Sequence, residues 1–95
     1  MVKLEINTAR KHIDRLDTAL IAILAERMSL MPDIGEYKKK NGMPITDEKR
    51  EIQIMDRLKS IAKEYGLEDG FVEEVFLSIF NEAKRIQSKV VEGKK

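Results

Sequence analysis

The chain has 95 residues, and its 18 Lys+Arg against 17 Asp+Glu leave a net charge of only +1, so no global field gathers nucleic acid or an anionic membrane. With 5% aromatic residues, no Trp and 37% charged residues, any core must be aliphatic and small, which suits a single domain over residues 1–95. The absence of Cys removes disulfides and thiol catalysis, and a solitary histidine, His12, argues against a metal site.

Leu4 to Lys40 reads as one long helix. Its apolar residues recur in two heptad rows, Ile6, Ile13, Leu20, Arg27, Ile34 and Ala9, Leu16, Ile23, Leu30, Tyr37, both expected to be buried against a partner. Arg27 stands where Leu or Ile belongs, and a guanidinium in an apolar seam needs an anionic partner, either a protein carboxylate or a ligand. Pro32 removes a hydrogen bond to Met28, but the rows stay in phase across it, so a bent and continuous helix is expected. Lys38, Lys39 and Lys40 suit the negative end of the helix dipole, Asn41-Gly42 can supply a left-handed cap, and Pro44 prevents continuation. Such a helix is roughly 50 Å long, about twice the diameter of a compact chain of this size. A second copy could cover its stripe, giving a two-fold homodimer.

Gly42 to Thr46 reads as a turn, with Thr46 or Asp47 capping a second helix that runs to about Tyr65. Its stripe is Ile54, Met55, Leu58, Ile61, Ala62 and Tyr65, continued upstream by Glu51 and Asp47 on the same face. Gly66 ends it, Leu67 to Gly70 turns, and a third helix points Val72, Val75, Phe76, Ile79, Phe80, Ala83, Ile86 and Val90 inward, with Gln87 among them. From about Glu92 to Lys95 the chain is polar and expected to fray. There is no internal repeat or low-complexity segment. No apolar run has the length of a membrane span, and Met1-Val2-Lys3-Leu4-Glu5 lacks the apolar core of a secretory signal, so a soluble cytoplasmic protein is expected.

Each of the three helices thus places polar groups on a face that should be dry: Arg27 with Lys38, Asp47 with Glu51 and adjacent Arg50, and Gln87. Taken singly, each fits an internal ion-pair network. Together they suit a pocket for a small polar anion. Arg27 and Lys38 are about 16 Å apart along a helix and could bracket one ligand, whereas Arg10 lies roughly 25 Å from Arg27 and could serve only a partner's site, if it is not simply a solvated surface residue. His12 reads as an edge residue, and Met28, Met31, Met43 and Met55 as packing material.

At these residues the chain resembles the small all-helical chorismate mutases. The resemblance is carried by Arg10, Ile13-Asp14-Arg15-Leu16-Asp17, Leu24-Ala25-Glu26-Arg27, Ile34 to Lys38, Pro44-Ile45-Thr46-Asp47, Arg50-Glu51 and Gln87, in an order that spans nearly the whole chain. It implies an all-α chain of three helices, a long bent one and two shorter ones, in an intertwined homodimer that rearranges chorismate to prephenate in phenylalanine and tyrosine biosynthesis. By the same resemblance, Arg27 and the partner's Arg10 hold the substrate's carboxylates. Lys38 and Gln87 donate to the ether oxygen of the breaking bond, and Glu51, helped by Asp47, accepts from the ring hydroxyl. Arg50 is a further cation lining the site. No nucleophile, metal or cofactor is implied. Ala83 departs from the family, where a small hydroxyl residue often contacts a substrate carboxylate, and Pro32 could alter the approach of Lys38. An isochorismate-pyruvate lyase of the same fold is the nearest alternative, disfavoured by Glu51. A non-catalytic dimerisation or regulatory module, or a mutase domain detached from a fused enzyme, are the others.

Overall fold

The computed structural model describes residues 5–93, all of whose regular elements are helical: α1 (Ile6–Ser29), α2 (Met31–Lys40), α3 (Glu48–Glu64) and α4 (Asp69–Val91). Leu4, the expected start of the first helix, and Lys94 and Lys95 of the expected polar tail lie outside the described residues. The three predicted helices are all present, and the long first one is interrupted for a single residue, between α1 and α2. Leu30 interrupts it with right-handed torsions (φ −82°, ψ −17°), its N–H closing a tight bond to the Arg27 carbonyl at 3.3 Å. Pro32 supplies the physical reason, because it has no N–H with which to carry the hydrogen-bond ladder across this turn. None of the helices is long and apolar enough to cross a membrane.

The chain divides into two compact units, Met1–Leu30 and Met31–Lys95. In the first unit, Glu5 caps α1 by accepting from the Asn7 and Thr8 N–H groups, each at 3.1 Å. No residue of α1 is buried within the chain, and Ile6, Ile13, Leu16, Leu20 and Ile23 are all exposed.

In the second unit α4 packs against both α2 and α3. Helix α2 stops where the lysines and Asn41-Gly42 indicate: Gly42 takes φ 62°, and the Met43 N–H reaches back to the Lys38 carbonyl at 2.9 Å. Of the two candidate caps for α3, Asp47 does the work, its Oδ1 accepting from the Arg50 N–H at 3.0 Å. Gly66 closes α3 with φ 75°, and α4 begins at Asp69, inside the expected turn, with no side-chain cap. Met31, Ala62, Val72, Phe80 and Ala83 form the core, and the Phe80 ring meets Phe76 edge-on at 6.3 Å. Three residues expected inward, Ile61, Tyr65 and Val75, are exposed within the chain.

Candidate active site

The seam between α2 and α4 is set by Gly35. A Cβ there would stand 3.2 Å from the Cα and carbonyl oxygen of Gln87 and 3.2 Å from the Cβ of Val90, so only glycine lets the two backbones approach this closely. That approach brings Lys38 to Gln87. The Lys38 Nζ donates to the Gln87 Oε1 at 2.8 Å and to the Ile45 carbonyl at 2.7 Å. Gln87 is only 5% exposed, and its Nε2 donates to the Sδ of buried Met31 at 3.3 Å.

These contacts determine which hydrogens are available. An ammonium has no acceptor capacity, so Lys38 compels Gln87 to turn its carbonyl inward and its amide N–H groups toward Met31. Of the three ammonium hydrogens of Lys38 two are engaged, and of the two amide hydrogens of Gln87 one is. Each residue keeps one hydrogen to offer to an oxygen of a ligand. A protonated amine and a fixed amide, in a partly desolvated seam, are suited to stabilising negative charge that develops on such an oxygen.

Across α4, Glu51 on α3 pairs with Lys84, Oε2 to Nζ at 3.1 Å, with both side chains 26% exposed. Asp47 is half-buried, and Arg50 is exposed. Ala83 is buried at 5% exposure and contributes no polar atom. In the other unit, Arg10 is exposed, whereas Arg27 is half-buried in the last turn of α1, where a cation complements the helix dipole.

Of the residues singled out from the sequence, the structure joins Lys38 to Gln87 directly and links Asp47 to the start of the helix that carries Glu51. Three participants escaped sequence reading. Met31 looked like packing material, although its sulfur is an acceptor. Gly35 sits inside a helix, where an isolated glycine is tolerated and does not by itself reveal the neighbour it lets approach. Lys84 is one of 18 Lys+Arg and carries no local mark.

The profile of the family described as chorismate mutase type II matches residues 9–88, and the chain belongs to that family. Among its relatives, a protein named chorismate mutase from Methanocaldococcus jannaschii is 34% identical over 83 residues, covering 87% of this chain and 84% of that protein. A bifunctional chorismate mutase/prephenate dehydratase from Aquifex aeolicus is 37% identical over 79 residues, covering 82% of this chain. A T-protein from Enterobacter agglomerans is 30% identical over 79 residues, covering 83%. The chain spans 21% of the length of each of these last two.

Proposed function

We propose that this chain is a chorismate mutase that acts through the residues its family resemblance assigns, the carrying observation being the Lys38–Gln87 hydrogen bond at 2.8 Å within the seam of α2 and α4. The reaction is an intramolecular rearrangement: the ether C–O bond breaks as a C–C bond forms, and chorismate becomes prephenate with no atom gained or lost. It requires no nucleophile. The residues act by holding the compact chair-like conformer and by stabilising charge that builds on the ether oxygen. Lys38 and Gln87 donate their remaining hydrogens to that oxygen, Glu51 accepts from the ring hydroxyl, and Asp47 holds the first turn that carries Glu51. Arg27 and the partner's Arg10 grip the two carboxylates, with Arg50 as an additional cation. Ala83 offers nothing to a carboxylate, and a neutral hydrogen bond lost there weakens binding by about 1 kcal/mol.

The working molecule in this reading is a cytoplasmic homodimer whose sites are shared, with each 95-residue chain a single mutase domain. Its support is the apolar face of α1: Leu16, Leu20 and Ile23 are 55%, 54% and 62% exposed within one chain, a surface that a second copy of the same helix would cover.

Incubation of the purified chain with chorismate and, separately, with isochorismate tests the reading. Conversion of chorismate to prephenate at unchanged mass is the expected result. Pyruvate release from isochorismate alone would assign the chain to the lyase reaction instead, and turnover of neither would leave it without an enzymatic role. Mixing inactive Arg10→Ala and Arg27→Ala protomers tests the shared site. Heterodimers should regain one intact site and measurable activity, and heterodimers that form without recovery contradict sharing.

A further inference from the structure

We propose that Lys84 is a positioning residue for Glu51, an inference that rests on the mutase reading above. Two adjacent cations occupy this stretch of α4, and they behave differently. Arg85 is tied to Glu82 on its own helix, Nη2 to Oε2 at 2.6 Å, and faces outward. Lys84 reaches across to α3 and meets the Glu51 Oε2 at 3.1 Å, joining residues 33 positions apart in the chain.

The geometry divides the duties of the Glu51 carboxylate. One oxygen is engaged by Lys84, which leaves Oε1 to accept from a ligand hydroxyl. A glutamate side chain has rotatable bonds that must be immobilised before it can serve as an acceptor, and a cation on a neighbouring helix immobilises it before the ligand arrives. Both side chains are 26% exposed, intermediate between a solvated surface pair and a buried one. The position of Lys84 supports the same role: it follows buried Ala83 and precedes Gln87 by three residues, so the α4 turn that places the Gln87 amide also places the Lys84 ammonium. Lys84 acts through Glu51, without touching the reacting atoms.

Steady-state kinetics of chorismate conversion test this, with Lys84→Met keeping the stem and removing the charge. The Glu51 contact to the ring hydroxyl exists both in bound substrate and in the transition state, so its loosening should raise KM about fivefold with little change in kcat. Lys84→Arg should restore KM, and Lys84→Met introduced into Glu51→Gln should add no further loss. Should Lys84→Met melt early, Lys84→Gln repeats the comparison. An unchanged KM in a folded variant, or an equal rise with and without Glu51, overturns the proposal while leaving the mutase reading intact. A wild-type chain that leaves chorismate unconverted overturns both. Active wild type with an unimpaired Glu51→Gln overturns the role of Glu51 and that of Lys84 together.

Discussion

Gln87 is held from two sides, by the ammonium of Lys38 and by the sulfur of Met31. Truncating Lys38, the proposed catalytic cation, should show how much the pair contributes. Lys38→Ala is expected to lower kcat by about 10²-fold or more, as removal of a donor to a developing oxyanion does, while far-ultraviolet circular dichroism stays unchanged. Equal loss of helicity and activity would instead make Lys38 structural. Met31→Leu isolates the sulfur. The volume is kept, so stability should fall by less than about 1.5 kcal/mol in a denaturant titration. The amide is then held only through its carbonyl by Lys38, and kcat should drop about threefold, the weight of one weak neutral hydrogen bond. Lys38 and Gln87 were legible in the sequence because a polar residue on an apolar stripe is conspicuous. Met31 was not, because a methionine on an apolar face gives no sign of whether its sulfur or its methyl group is used.

The helix ends were largely legible, since caps are local chemistry written in a few adjacent residues. Asn41-Gly42 and Gly66 end helices where the sequence indicates, and Asp47 begins one. The one-residue break at Leu30 was not legible beyond the expected bend, because heptad phase is preserved on either side of it and periodicity does not report whether the hydrogen-bond ladder is continuous. At the other end of α1, the two backbone N–H groups of Asn7 and Thr8 hold the Glu5 carboxyl below its ordinary range. A lowered folded-state value means that the capping contribution is complete above about pH 4.3, the unfolded glutamate value, and is lost as pH falls through the folded value beneath it. Amide exchange at Asn7 and Thr8 should therefore lose protection on acidification, and Glu5→Gln should flatten that pH dependence. Packing between elements gives a further expectation. Gly35→Ala sets a methyl 3.2 Å from backbone atoms of Gln87, which cannot yield as a flexible side chain would. Overpacking of about 1–3 kcal/mol exceeds the roughly 1 kcal/mol of helix propensity gained, so thermal melting should come earlier and kcat should fall with it.

At the scale of the molecule, the exposed apolar face of α1 is the dominant feature. A helix with Ile6, Ile13, Leu16, Leu20 and Ile23 all more than half exposed is poorly soluble alone and well suited to self-association. Sedimentation should report a dimer, and charged substitutions at both Leu16 and Leu20 should give a monomer with no turnover, because the proposed sites, completed by a second chain, would not survive its loss. An active monomer would refute the shared site.

Hydrophobic period, helix caps and the polar interruptions of apolar stripes together determined the all-helical class, the C-terminal end of α2, the ends of α3, and a set of candidate residues that includes Lys38, Glu51 and Gln87. These are consequences of local spacing and survive translation into three dimensions unchanged. What only the tertiary structure decided was who meets whom. Met31 faces Gln87 across 56 residues of chain, Lys84 and not Arg85 reaches Glu51, and Gly35 permits both backbones of the seam to close. Such pairings depend on the rotation and separation of packed helices, which the side chains of every neighbour settle jointly and no single segment encodes.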